Sequence, residues 1–197
     1  MDHKRLWLID AGYMYKGQLT FSRDYSLDYL KLRNKLEEDG SLWRAYYLNS
    51  TTPKSSDGQA SFYHWMRSAP PFGPKIITKL YDLKSSEITD AYCDQCRHKV
   101  SLSCPEDRSH RLSREQQKGI DVGLATLALT NISNYETLLL SSGDGDLIDA
   151  IEYITEKGKR FELVVFKYGV STDLQSRADK VYWIDDFAGD VARSSLR

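Results

Sequence analysis

The sequence has little of what marks an exported, membrane-embedded or disulfide-rich protein. It has only three cysteines and five prolines in 197 residues. It has no hydrophobic run near the roughly 20 residues that a membrane-spanning helix needs, and its N-terminus, MDHKRLWLID, lacks the apolar core of a signal peptide. We therefore expect a cytoplasmic protein with no membrane partner.

An excess of charge of one sign is missing as well. The 27 Lys and Arg residues almost balance the 28 Asp and Glu residues, for a net charge of -1. Proteins that bind long nucleic acids nonspecifically usually carry a basic excess, so any nucleic-acid contact here must be local. The length suits a single domain over residues 1–197, and the 41% hydrophobic content is enough for a core.

Six short apolar or β-branched runs predict strands, at 5–9, 42–48, 75–80, 136–141, 161–166 and 181–184. Segments with helical spacing of apolar residues lie between them, at 27–36, 59–66, 119–129 and 147–154. Alternating strands and helices indicate a mostly parallel sheet with helices on both faces. The sequence thus predicts a three-layer α/β/α fold of the Rossmann-like type.

Four aspartates stand where such a fold gathers its ligands. Asp10 ends the first strand, Asp144 and Asp146 follow the fourth in SSGDGD, and Asp121 lies in the first turn of the preceding helix. Ligands bind outside the carboxyl ends of parallel strands. Clustered carboxylates require a neutralising cation, and Mg²⁺ or Mn²⁺ takes oxygen ligands and activates water for phosphodiester hydrolysis. The pattern favours a catalytic metal site.

Helix capping is the alternative explanation for each of these residues taken singly. Asp146 and Asp149 could cap the helix that follows them, and Asp121 is favoured near a helix N-terminus by the helix dipole. Asp10 is harder to explain in this way, because it closes a buried strand. Asp149 lies one helical turn beyond Asp146, so we expect it to act as an auxiliary acid at the same edge.

The sequence contains KGIDVGLA at 118–125 and LLLSSGDGDLIDAI at 138–151. This pairing resembles the NYN domain family, LabA-like branch, within the PIN-like nucleases. The opening LWLIDAGYMYKG at 6–17 and the tail STDLQSRADKVYWI at 171–184 fit the first and last motifs of that family. The resemblance implies a PIN-like fold and metal-dependent endonucleolytic cleavage of RNA, with single-stranded RNA as the expected substrate.

The resemblance also implies roles for individual residues. The family's catalytic acids match Asp10, Asp121, Asp144 and Asp146, which would hold Mg²⁺ or Mn²⁺. Ser142 matches a small hydroxyl residue that touches phosphate or a metal-bound water. Many members carry Asn three residues after the first acid, where this chain has Tyr13. Because of that departure, the alternative function is a catalytically inactive regulatory module with the NYN fold that binds RNA or protein.

Aromatic and basic residues near the motifs are candidates for substrate contacts. Tyr13 is the best placed to stack on a base, and Lys16, Arg114 and Lys118 are candidates for holding phosphates. A solvated surface charge is the alternative for each of these basic residues taken singly. RNA is therefore the expected partner, with a homodimer as an open option. A haloacid-dehalogenase-like phosphatase is disfavoured, because Ala11 and Gly12 follow Asp10 where a second acid is needed. A dinucleotide-binding domain is disfavoured because no G-x-G-x-x-G follows the first strand.

The three cysteines lie together in the polar segment 85–117, which has no apolar periodicity. With a histidine they form C-x2-C-x7-C-x5-H, using Cys93, Cys96, Cys104 and His110. This ligand count predicts a structural Zn²⁺ in a zinc-knuckle-like insert, with His98 as a rival fourth ligand. The alternative is three reduced cysteines in a flexible loop.

Overall fold

The structure is a computed structural model and describes residues 3–51, 56–116 and 119–194. Its centre is a six-stranded sheet made of β1 (Arg5–Asp10), β2 (Leu42–Thr51), β3 (Ile77–Asp82), β8 (Thr137–Ser141), β9 (Arg160–Val165) and β10 (Lys180–Trp183). The strands lie in the order β10-β9-β8-β1-β2-β3, and every neighbouring pair is parallel. Each of the six predicted strands is confirmed, with small shifts at its ends.

Six α-helices flank this sheet in the part of the chain that the structure describes. They are α1 (Ala11–Phe21), α2 (Tyr29–Glu37), α3 (Asp57–Arg67), α4 (Ile120–Thr130), α5 (Ile148–Glu156) and α6 (Thr172–Arg177). The four predicted helices correspond to α2, α3, α4 and α5. The sequence did not predict α1, because Gly12 and Gly17 weaken its helical signal.

Two separate apolar cores lie on opposite faces of the sheet. Along β1, Trp7 and Ile9 belong to the core that includes residues of α1, α2 and α3, whereas Leu6 and Leu8 belong to the core that includes α4, α5 and α6. Successive side chains of a strand point to opposite faces, so a strand covered on both sides reads as an uninterrupted apolar run. The predicted α/β architecture with a mostly parallel sheet is confirmed.

Two antiparallel ribbons lie within residues 85–116, the described part of the polar segment, and one of them begins at Lys84. One pairs β4 (Lys84–Glu87) with β7 (Ser113–Gln116), and the other pairs β5 (Asp90–Tyr92) with β6 (Lys99–Ser101). Backbone hydrogen bonds between strands therefore order this segment. The sequence predicts that something must stabilise a polar segment of this length, with zinc as one explanation. The structure shows strand pairing in that role.

The predicted zinc ligands form two pairs. Cys93 and Cys96 are in contact in a tight turn, which the Cys93 amide closes by donating to the His98 carbonyl at 2.9 Å. In the second pair, the Cys104 Sγ lies 3.6 Å from the His110 Nδ1. Across the described ranges, no three His, Cys, Asp or Glu side chains are grouped so that they could hold a metal ion. The structure thus does not support the predicted zinc-knuckle insert.

None of the helices that the structure describes has the length and apolar character needed to span a membrane.

Candidate active site

The order of the strands reverses between β1 and β8. From β1 the chain continues to β2 and β3 on one side of the sheet, whereas β8, β9 and β10 extend the other side. Loops that leave two such strands diverge and open a crevice at the carboxyl edge. Asp10 is the last residue of β1, and its neighbour Ile9 lies in register with Ser141, the last residue of β8.

A cavity of about 410 Å³ occupies this crevice. Its wall is formed by Asp10, Gly12, Tyr13, Lys16, Ser142, Gly143, Asp144, Gly145, Tyr168 and Gly169. The structure thus brings the first-strand acid and the first acid of SSGDGD into one cavity, which we call the acidic cavity.

Both acids of the cavity also cap helices. The Asp10 Oδ1 accepts hydrogen bonds from the amides of Gly12 at 2.8 Å and Tyr13 at 3.1 Å, at the start of α1. The Asp144 Oδ1 accepts from the Asp146 amide at 3.0 Å, at the start of the 3-10 helix Gly145–Leu147. In each case one carboxylate oxygen, Oδ2, has no partner among the described residues. Capping and ligand binding are therefore compatible.

The carboxylates interact electrostatically. Burial raises the pKa of Asp10 above its ordinary value, the Tyr13 and Gly12 amides oppose that rise, and the charges of Asp121 and Asp144 add to it. The pKa of Asp121 is also raised, first by partial burial and then by the charge of Asp144 and, less strongly, of Asp146. Within the part of the chain that the structure describes, none of these four carboxylates forms an ion pair with Lys, Arg or His.

The four acids differ in how closely they surround the cavity. Asp10 and Asp144 line it and are partly buried, whereas Asp121 and Asp146 are exposed beside it. Asp149 is exposed in the first turn of α5. Among the described residues, no three of these carboxylates are grouped closely enough to hold a metal ion by themselves. The aspartates are near neighbours that do not form a complete ligand cage.

Tyr13 is held in place by its surroundings. Its hydroxyl donates to the Phe166 carbonyl at 2.8 Å, and its pKa is raised mainly by burial. The predicted stacking residue thus lines the cavity with its hydroxyl already paired. Ser142 is fully buried, and its Oγ accepts from the Asp144 amide at 3.3 Å, which fixes the loop that carries Asp144.

The predicted phosphate-binding residues lie in different places. Lys16 is exposed on α1 and lines the acidic cavity, and its amino group has no ion pair among the described residues. Arg114 is exposed on β7 in one of the antiparallel ribbons and does not line the cavity. Lys118 lies outside the described residues.

Sequence reasoning missed the contribution of the loop after β9. Tyr168, with 47% of its surface exposed, and Gly169 line the acidic cavity. Because β9 neighbours β8, its carboxyl end faces the same edge of the sheet. The rule that located Asp10 and Asp144 would have located Tyr168 if the strand order had been known.

Gly143 allows two loops and the first turn of α1 to meet at the cavity. A Cβ at this position would clash with the Gly169 carbonyl oxygen and lie 2.8 Å from the Tyr13 ring. We expect Gly143→Ala to lower the free energy of unfolding by about 1–3 kcal/mol, because overpacking forces the neighbouring backbone to move. Chemical denaturation followed by circular dichroism measures the change.

Gly189→Ala is the matched control for that substitution, because no atom of the described residues lies within 4 Å of a Cβ there. Its free energy of unfolding should stay within about 0.5 kcal/mol of wild type. Equal stability of the two variants would contradict the close approach at Gly143.

Comparison with known proteins agrees with this geometry. The family model for the NYN domain matches residues 6–185. The chain belongs to the NYN domain family. Its fold is accordingly that of the PIN-like, nuclease-type proteins, and the resemblance seen in the motifs is confirmed.

A solved structure adds support at the level of the fold. The NYN chain is similar to a protein of unknown function from Vibrio parahaemolyticus, with a TM-score of 0.65 and 21% sequence identity over 98% of this chain and 97% of that one. At this identity the likeness concerns the fold alone. No curated protein matches the sequence.

Proposed function

We propose that this protein is a metal-dependent ribonuclease that cleaves phosphodiester bonds within single-stranded RNA. The observation that carries the proposal is the partly buried Asp10 beside Asp121 and Asp144, with no cationic side chain paired to any of them among the described residues. Burying like charges together is costly unless a cation neutralises them. Membership of the NYN family supports the nuclease class.

The donor set fits Mg²⁺ or Mn²⁺. Both ions take carboxylate oxygens, and Mg²⁺ keeps several waters while binding only one or two carboxylates directly. Asp10 and Asp144, each with a carboxylate oxygen unpaired among the described residues, would hold the ion. Asp121 and Asp146 would act from the rim, through water. A bound ion supplies an activated water and neutralises charge on the phosphoryl oxygens.

The remaining wall of the acidic cavity suits an RNA strand. The Lys16 amino group is placed to pair with a phosphate, and Ser142 holds the loop that carries Asp144. Tyr168 presents a partly exposed ring at the same cavity, which suits stacking on a base next to the scissile phosphate. Asp149 would contribute only through the local negative charge.

A cleavage assay tests the proposal directly. Purified protein is incubated with an end-labelled single-stranded RNA in Mg²⁺, in Mn²⁺ and in EDTA. We expect internal cleavage in either metal and none in EDTA. RNA that stays intact in both metals, or is cut equally well in EDTA, would contradict the proposal.

The raised pKa of Asp10 gives a prediction for stability. The folded state binds this proton more tightly than the unfolded state, so the stabilisation is complete below the unfolded pKa and is lost as the pH rises through the folded pKa. At neutral pH without metal, ionised Asp10 therefore destabilises the fold. Asp10→Asn should raise the melting temperature in EDTA at pH 7, because Asn caps a helix about as well as Asp.

Adding metal should reverse the order of the two melting temperatures, so that wild type melts above Asp10→Asn. An ion that binds only the folded state stabilises that state. We expect Mn²⁺ to raise the melting temperature of wild type and to have much less effect on Asp10→Asn. Asp28→Asn is the matched control, because Asp28 caps α2 with the same two-amide pattern and does not line the acidic cavity. Equal stabilisation of all three proteins by Mn²⁺ would contradict a site at Asp10.

A catalytically silent RNA-binding module is the second candidate function. It is favoured by Tyr13, whose hydroxyl is paired with the Phe166 carbonyl and therefore adds no ligand where many relatives carry Asn. This candidate predicts RNA binding that does not depend on Mn²⁺, and no cleavage in any metal.

A further inference from the structure

A second and larger cavity, of about 630 Å³, also borders helix α1. Tyr15 and Leu19 line this cavity, whereas Tyr13 and Lys16 line the acidic one. At 3.6 residues per turn, the first pair points about 110° around the helix axis from the second, so the two pairs face adjacent sides of α1. The helix thus forms part of the wall of both cavities, and both open near the carboxyl ends of β1 and β2.

The walls of this second cavity are rich in aromatic side chains, and we call it the aromatic cavity. The Phe62 ring lies 5.8 Å from the Tyr47 ring and 6.0 Å from the Trp65 ring, centroid to centroid. Tyr15 stands at the cavity with 62% of its surface exposed. Aromatic faces of this kind stack on nucleobases, whatever the base.

Polar groups are placed among these rings. The Asn49 Nδ2 donates to the Tyr63 hydroxyl at 2.9 Å, and both residues line the cavity. Arg23 and Arg193 also line it, are exposed, and have no side-chain ion pair or hydrogen bond among the described residues. Unpaired guanidinium groups beside an aromatic surface match a ligand that joins flat rings to phosphates.

The aromatic cavity lies close to the acidic cavity. Leu48 is in register with Asp10, and its neighbours Tyr47 and Asn49 line the aromatic cavity. The pKa of Tyr47 is raised mainly by burial, and the charge of Asp10 adds to that rise, as expected for groups at short range. A strand bound at one cavity is therefore within reach of the other.

We propose that the aromatic cavity binds an unpaired nucleobase of a single-stranded RNA whose backbone passes the acidic cavity. The proposal rests on the proposed function for its choice of RNA. Tyr15 stacks on the base, and Arg23 and Arg193 pair with the phosphates of the same nucleotide or the next. An unpaired base is required, because a duplex keeps its bases stacked inside and cannot insert one into such a cavity without flipping it out.

Binding without cleavage tests this proposal. The probe is a fluorescein-labelled hexauridylate, measured by fluorescence anisotropy in EDTA, with every protein carrying Asp144→Asn to reduce repulsion of the strand. We expect Tyr15→Ala to weaken binding about 5- to 150-fold, the range for loss of one stacked base. Arg23→Gln should weaken it less, and more at low salt than at high salt.

Tyr92→Ala is the matched control, because Tyr92 has 67% of its surface exposed but lies on β5, away from both cavities. Its affinity should stay within about twofold of the parent. A hexamer with one abasic residue at the bound position should mimic Tyr15→Ala, and uridine monophosphate should bind much more weakly than the hexamer.

Equal affinity of the parent and Tyr15→Ala would overturn the proposal, as would no binding of the hexamer by the parent. If the mononucleotide binds as tightly as the hexamer, the aromatic cavity is a site for free nucleotides. That result would overturn the proposal that it binds a base of an RNA strand. The outcome is independent of catalysis. If the protein binds RNA in a base-dependent way but the wild type does not cleave it, only the proposed nuclease function is contradicted. If the wild type cleaves RNA and Tyr15→Ala cleaves it equally well, only the proposed base-binding site is contradicted.

Discussion

The Asp144→Asn variant is expected to lose metal-dependent RNA cleavage by at least about 100-fold, with its fold intact. Asp144 lines the acidic cavity, and its Oδ2 has no partner among the described residues. Asparagine keeps the size and the capping oxygen of aspartate but lacks the charge that attracts a divalent ion. Mutating a residue that only contacts a metal ligand commonly lowers metal affinity or activity by about 10- to 100-fold. Mutating a direct ligand should lower activity further.

The measurement is the initial rate of cleavage of a labelled single-stranded RNA in saturating Mn²⁺, with the melting temperature as a check on folding. Asp190→Asn is the control, because Asp190 is exposed and does not line the acidic cavity. Its rate should equal that of wild type. An Asp144→Asn variant that keeps the wild-type rate would contradict the assignment of the site.

The Arg5→Met variant is expected to lower the free energy of unfolding by about 3–5 kcal/mol. Arg5 and Glu162 are both buried, and their Nη2 and Oε2 atoms lie 2.6 Å apart. The same guanidinium donates to the Leu36 carbonyl at 2.5 Å and to the Tyr182 hydroxyl at 2.9 Å. Removing it would leave the Glu162 charge buried without its closest cation.

Chemical denaturation of three variants checks this prediction. Arg177→Met removes an exposed pair with Glu152 and should cost less than about 1 kcal/mol. Arg5→Met combined with Glu162→Leu should recover most of the loss, because an apolar pair of similar volume replaces the buried charges. A loss in Arg5→Met no larger than that in Arg177→Met would contradict the role of the buried pair. Cleavage per folded molecule should be unchanged, because Arg5 starts β1 at the far edge from Asp10.

Much of the fold could be predicted because the sheet is parallel and covered on both faces. Such strands appear as uninterrupted apolar runs, as in LWLI of β1 and TLLL of β8, and these runs are hard to mistake. The meeting of Asp10 and Asp144 followed from the same reasoning. Each residue ends or follows a strand, and β1 and β8 are neighbours at the point where the strand order reverses.

The features that the sequence did not predict depend on contacts between distant parts of the chain. The Phe166 carbonyl that accepts the Tyr13 hydroxyl lies 153 positions further along the chain, so no local pattern indicates that Tyr13 is held. The aromatic cavity combines residues of α1, β2 and α3, and Tyr47 looks like an ordinary core residue in sequence. The cysteine spacing suggested one metal group, whereas the structure has two separate pairs within an insert ordered by strand pairing.

A crystal of the protein soaked in Mn²⁺ and measured at a wavelength where manganese scatters anomalously tests the central claim most directly. We expect an anomalous peak between the carboxylates of Asp10 and Asp144, within about 2.0–2.2 Å of a ligating oxygen of each, the range for Mg²⁺-like ions. The same soak of Asp144→Asn crystals should give a much weaker peak. A wild-type crystal at saturating Mn²⁺ with no peak between these two residues would contradict the account.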